Sequence, residues 1–197
     1  MLLCVLAAYV VLSGMKLTPR AAIRMGEQYY GIYEPTHTVA MQRMRVGGRS
    51  CRVYLTAGEN SLYCGAARLT PSGWDIIFMG DAIACADGES VHAGWWDMAR
   101  NGAKDVFYWG RVDDAAITSA VIERYRAVSQ DENGDYTFEK RAAFAAELIE
   151  DGDYRYFLTG GVVTGPNYDD LAWDRVYFVG YDASGAEVLR YEIERQM

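Results

Sequence analysis

DVFYWGRVDDAAITSAVIERYRAV, residues 105–128, marks the point where the chain changes character. It holds two apolar runs, Val106–Trp109 and Ile117–Val128, on either side of the pair Asp113-Asp114. Aspartate favours turns because its carboxylate hydrogen-bonds backbone two residues on. The pattern predicts a hairpin opening a β-rich domain. Gly110, between Trp109 and Arg111, would weaken an interior strand, so a bulge or a close backbone approach is expected there.

Charge changes at the same place. Through Lys104 the chain carries 10 Lys and Arg against 8 Asp and Glu; from Asp105 onward it carries 9 against 19. An acidic half of that kind repels phosphate backbones, so no nucleic-acid partner is expected. With 197 residues, 51% of them hydrophobic, the chain has room for one domain or two small ones and enough apolar mass for a core. Its 15 Tyr and 5 Trp favour pleated, half-buried surfaces. Beyond Cys4, the cysteines Cys51, Cys64 and Cys85 show no CxxC or Cys/His spacing, which points to buried thiols and away from a zinc site.

Met1–Met15, MLLCVLAAYVVLSGM, has no charged residue and ends at Lys16. As a helix it would cover about 22 Å, short of the roughly 30 Å hydrocarbon core. A membrane anchor or signal segment over 1–16 is favoured, with a buried core helix and a marginal signal peptide as alternatives. The anchor reading makes the membrane a partner through residues 1–16 and places the bulk of the chain outside the cytoplasm.

Residues 17–80 read as a helix plus an antiparallel meander. Thr18 suits the N-cap and Pro19 the first helical position, with the helix running to Tyr30 and Gly31 after it. Ala22, Met25 and Tyr29 share one face. Strands follow at Thr38–Val46, Ser50–Thr56, Ser61–Arg68 and Trp74–Met79. Pairing Thr56 with Ser61 puts Cys51, Val53 and Leu55 on one face with Leu62, Cys64 and Ala66; Gly47-Gly48 brings Met44 opposite Cys51 and turns Arg43 and Arg45 outward. In that register Cys51 and Cys64 are diagonal neighbours, poorly set for a disulfide. The helix is expected to lay Ala22, Met25 and Tyr29 on the apolar face.

Residues 81–104 lose the period and read as a connector; in a strand, Trp95 and Trp96 would point to opposite faces. Residues 105–197 read as an acidic, sandwich-like β domain, with strands at Tyr136–Glu139, Tyr154–Thr159, Val176–Tyr181 and Ala186–Ile193 and a hairpin at Asp182–Gly185. Lys140–Glu150 is Ala-rich and fits either helix or strand. The fold class expected is α+β: an N-terminal apolar helix, a helix plus antiparallel β-meander, then a small antiparallel β-sandwich.

Catalytic signatures are missing: no GxSxG, HExxH, P-loop or GxGxxG stands in a fitting context, so no catalytic residue, metal ligand or cofactor is assigned. Asp131–Asp135 alternates oxygens as a calcium loop would, but its glycine and its twelfth residue, Ala142, do not fit; a solvated turn is expected there and at Asp169, Asp170 and Asp174. The ligand-binding candidates are His92, Trp95, Trp96 and Asp97, set between the two subdomains. Trp109 and Trp173 could also stack on sugars, although large aromatics are mostly buried.

Leu17-Thr18-Pro19 entering a short helix, the Gly-rich meander ending at Trp74, Tyr108-Trp109-Gly110-Arg111-Val112 and the Val179–Gly185 hairpin together resemble uncharacterised, membrane-anchored extracytoplasmic proteins of Gram-positive bacteria. That resemblance implies an address at the cell membrane and transfers no functional residue. The expectation is a non-enzymatic interaction or sensing module with a protein or glycan partner. The alternative is a cell-envelope glycan-binding protein or hydrolase working from the cleft between subdomains.

Overall fold

The computed structural model describes residues 16–100, 102–164 and 174–195. The expected anchor up to Met15, Asp169, Asp170 and Trp173 lie outside the described residues. The described chain is mostly β, which corrects the α+β expectation: one short helix accompanies three antiparallel sheets. The first sheet orders β1 (His37–Val46), β2 (Arg49–Ala57), β3 (Ser61–Thr70) and β4 (Gly73–Met79), with β5 (Ile83–Ala84) added to β3. The second contains β6 (Val91–Arg100), β7 (Ala103–Val112), β10 (Ile149–Asp151) and β11 (Tyr154–Thr164), in the order β10-β11-β7-β6. The third contains β8 (Ser119–Gln130), β9 (Tyr136–Ala146), β12 (Asp174–Tyr181) and β13 (Glu187–Glu192), in the order β13-β12-β8-β9.

The second sheet is the middle layer of a sandwich-like fold. From β7, Phe107 and Trp109 pack into one core with Val53, Leu55 and Cys64 of the first sheet. Val106, Tyr108 and Val112 pack the other way, with Ile122 of β8 and Phe178 of β12. Alternation along the strand thus feeds two cores, and the run Val106–Trp109 is apolar throughout because both of its faces are covered. This overturns the expected hairpin. Strands β7 and β8 lie in different sheets, and Asp113–Thr118 carries the chain from one layer to the next. The crossing is held by Arg155 of β11, which donates to the carbonyls of Asp114, at 2.5 Å, and of Ile117. Ile117 itself is fully buried in the second core.

Gly110 pairs regularly with Ala93 on one side and Phe157 on the other, so no bulge forms. The close approach is real: a Cβ there would lie 2.4 Å from the His92 carbonyl oxygen and 2.6 Å from the Phe157 ring. Gly110→Ala is expected to lower stability by about 1–3 kcal/mol through overpacking, read from urea midpoints at unchanged m-value.

In the first sheet Met44 pairs with Cys51, and Arg43 and Arg45 face outward, as expected. Strands β2 and β3 pair with Thr56 opposite Tyr63, not Ser61; the slip is two residues, so the faces are unchanged. Cys64 consequently opposes Leu55, away from Cys51, and Cys51, Cys64 and Cys85 are buried free thiols. Burial pushes all three thiols up, Cys85 to about 11, which leaves little thiolate for nucleophilic work.

Helix α1 (Pro19–Tyr29) begins as expected, with the Thr18 hydroxyl accepting from the Ala21 N–H at 3.1 Å. Its buried face is Ala22, Ile23, Gly26 and Glu27; Met25 and Tyr29 point outward, a correction. Gly26 allows close contact with β4, since a Cβ there would sit 2.1 Å from Ile76 Cδ1. Glu27 is drawn in by Arg20 at 3.2 Å, Arg24 at 3.1 Å and the Thr36 and Thr56 hydroxyls at 2.9 and 3.1 Å. The helix also covers the Tyr54, Tyr63 and Ala67 face, because the Val53 and Leu55 face is taken by the middle sheet.

Residues 81–104, expected as a connector, supply β5 and β6, and Lys140–Glu150 is strand apart from Glu147 and Leu148, with no helix. Pairing of β9 with β8 outweighs the helical preference of Ala142, Ala143, Ala145 and Ala146.

Candidate binding face

The four expected ligand residues all stand on β6, and strand alternation parts them. His92 and Trp96 face the first sheet; Trp95 and Asp97 face the third. His92 is buried, its ring nitrogens each 3.3 Å from a carboxylate, Glu89 and Asp113, without hydrogen-bond geometry. Trp95 is core, and Trp96 stacks on Phe78 at 4.1 Å between centroids. The structure does not bring these residues together around one hollow.

Asp97 instead enters a buried clasp. Arg124 of β8 donates to its Oδ2 at 2.8 Å and also contacts the Asp174 carboxylate; Lys104 lies 3.2 Å from Asp97 and 3.5 Å from Asp174. Arg195 reaches Asp97 Oδ1 at 2.8 Å, and the Arg124 guanidinium sits 4.7 Å over Trp95. Burial alone would raise the Asp97 carboxyl, but these cations more than offset it and hold it below the usual range. The clasp joins the middle sheet to the third with paired charge, a structural use of residues that look reactive in sequence.

Where the first and middle sheets end together, a cleft of about 240 Å³ is lined by His37, Ser61, Arg111, Asp151 and Tyr154 among others. His37 Nε2 lies 2.7 Å from Asp151 Oδ2, across 114 residues of chain. Arg111 donates twice to Asp113, at 2.7 and 2.6 Å, and its guanidinium lies 4.1 Å from the Tyr154 ring centre.

The outer face of the third sheet carries a second candidate surface. Tyr125 of β8, Phe138 of β9 and Tyr177 of β12 stand there between arginines: Arg175 lies 4.4 Å over Phe138, and Arg190 lies 5.8 Å from the Tyr177 ring. Tyr125 and Tyr177 meet edge to face at 5.6 Å. Two adjoining hollows of about 340 and 290 Å³ share Phe138 and Arg175. Beside them Glu123 accepts from Lys140 at 2.5 Å, Arg190 at 2.9 Å and the Tyr125 hydroxyl at 2.9 Å. Sequence reasoning followed the tryptophans and missed this face. Its signal was the alternation Tyr136, Phe138, Lys140, which a full-length β9 would have projected outward.

Burial would raise Glu123, but its three hydrogen-bond donors bring it down to about 2 from 4.5. A carboxyl lowered in the folded state contributes stability fully above its unfolded value and loses it as pH falls toward the folded one. Unfolding free energy is therefore expected to hold down to pH about 4.5 and then decline toward about 2 as Glu123 protonates, with Asp97, also held below its usual range, adding to the loss in acid. Urea titrations at stepped pH check this, and Glu123→Gln should flatten part of the decline.

Among the described residues no group of three or more His, Cys, Asp or Glu is placed to hold a metal ion. No family of known proteins, no curated protein and no solved structure matches the chain.

Proposed function

We propose that this chain is a non-enzymatic interaction or sensing module, tethered to the outer face of a membrane through residues 1–16, that binds a protein or glycan through the outer face of its third sheet. The observation carrying the binding role is the set of half-buried aromatic rings flanked by exposed arginines around the two joined hollows. Aromatic residues and arginine dominate binding hot spots because they offer large, stiff contact area with a polar handle. Support for the tether is the uncharged stretch Met1–Met15 and the resemblance to anchored extracytoplasmic proteins of Gram-positive bacteria. Among the described residues no helix is long and apolar enough to cross a membrane.

Residue-resolved NMR, titrating the chain with cell-envelope protein and glycan fractions, tests this. Shifts clustered at Tyr125, Phe138, Arg175, Tyr177 and Arg190 are expected, and Phe138→Ala with Arg175→Ala should weaken binding by about tenfold or more. Shifts confined to the His37 cleft, or none with any fraction, would overturn the assignment.

A second reading, glycan binding or hydrolysis, gains from the His37 and Asp151 pair in the cleft with Ser61 and Arg111. Release of new reducing ends from envelope polysaccharide, abolished by His37→Gln, would favour it.

A further inference from the structure

The helix that covers the first sheet is apolar on its outside as well. Ala21, Met25 and Tyr29 recur every four residues on the exposed side, with Leu17 at the foot of the helix. Leu17 is 63% exposed, Met25 40% and Tyr29 85%, and just beyond the helix Tyr30 and Tyr33 are 57% and 78% exposed. A surface helix ordinarily turns polar residues outward, so among the described residues this stripe lacks a cover.

Beside the helix, the same side of the sheet is basic. Arg52 alternates with core-facing Val53 and so shares the side of Tyr54, which packs under the helix. Arg43 is directly opposite Arg52 in the β1–β2 ladder, and Arg45 follows two residues on. Like charges opposed across strands destabilise a sheet. Among the described residues none of these arginines has an ion-pair partner, whereas Arg124 and Arg190 of the third sheet are each paired. Residues 16–79 carry 8 Lys and Arg against 4 Asp and Glu, within a chain of net charge −8.

We infer that this outer side of the first sheet, helix stripe and arginines together, lies flat on an anionic lipid surface. Met1–Met15 directly precedes Lys16 in sequence, and the Lys16 carbonyl, next to Leu17 at the foot of the stripe, is fixed by the Trp74 N–H at 2.8 Å. A bilayer holding that stretch is therefore adjacent to Leu17. Tyrosine suits the headgroup level, with its ring among the chains' upper carbons and its hydroxyl in water, and arginine pairs with lipid phosphate. The binding face of the third sheet, on the opposite outside of the fold, then points away from the membrane. This inference rests on the tethered reading.

The test uses the full chain in a Cys4→Ser background, since Cys51, Cys64 and Cys85 are buried. Nitroxides are placed at Met25→Cys, at Tyr29→Cys and, on β13, at Val188→Cys, with vesicles of phosphatidylcholine and phosphatidylglycerol. Labels at 25 and 29 are expected to be reached by oxygen and shielded from a water-soluble nickel complex, and the label at 188 the reverse. Arg43→Glu, Arg45→Glu and Arg52→Glu together should lower partitioning to the anionic vesicles by about a hundredfold, at unchanged circular dichroism. Vesicle-bound chain with positions 25 and 29 as open to nickel as 188 overturns this inference and leaves the tether standing. Chain that fails to associate with any vesicle overturns both.

Discussion

Replacing Arg124 with alanine is expected to destabilise the fold by about 3–5 kcal/mol, because it strips a buried ion pair of one partner. The Asp97 and Asp174 carboxylates it contacts are nearly fully buried, and removing Arg124 leaves Lys104 as the one described cation reaching both. The aromatic contact with Trp95 and the hydrogen bond to the Tyr108 hydroxyl at 3.3 Å are lost as well. For a chain of 197 residues a loss of that size corresponds to a melting temperature lower by roughly 6–20 °C. Much of the cost is the stranded negative charge. Adding Asp97→Asn to Arg124→Ala should therefore recover about 1–3 kcal/mol relative to the sum of the single changes, measured as a double-mutant cycle in urea.

Trp109→Ala is expected to cost about 3–5 kcal/mol, the range for emptying a large aromatic site from a packed core. Trp109 is fully buried on β7, within the core shared by the first and middle sheets, with Phe78 edge-on at 6.3 Å. Its indole N–H has no hydrogen-bond partner among the described residues. Deleting that N–H removes an unsatisfied donor, so Trp109→Phe should lose less than about 1.5 kcal/mol despite its smaller ring. Equilibrium unfolding of the two variants separates the terms: volume governs the alanine change, and the unpaired donor softens the phenylalanine change.

Local signals survived into the structure wherever neighbours in sequence decide the outcome. Thr18 caps the helix, Met44 meets Cys51 across the Gly47-Gly48 turn, Trp95 and Trp96 part to opposite faces, and Asp182–Gly185 closes β12 onto β13. Long-range choices were not legible. Asp113-Asp114 suits a hairpin turn and a layer crossing equally, and what selects the crossing is Arg155, which binds its carbonyls from 38 and 41 residues away in sequence. The run at Val106–Trp109 carries no alternation because both its faces are buried, a state that a single sequence does not separate from one good face and one aromatic exception. The helix is rotated from the expected Ala22, Met25 and Tyr29 face by Gly26 and Glu27, which together set which side meets the sheet.

The candidate sites followed the same division. His92, Trp95, Trp96 and Asp97 are adjacent in sequence, and adjacency in a strand separates side chains. The residues that do converge come from strands far apart in the chain: His37 meets Asp151 because the first sheet packs on the second, and Phe138 meets Arg175 through strand order within the third.

Both proposed faces depend on β7 being interior to two cores, since a β7–β8 hairpin would merge the layers and remove the third sheet's separate outer side. Cross-strand nuclear Overhauser contacts of β7 test that most directly. Contacts from Gly110 to Ala93 and to Phe157, with none between Val106–Val112 and Ser119–Val128 as paired strands, are the predicted result. A ladder of contacts joining those two segments across Asp113-Asp114 would contradict it.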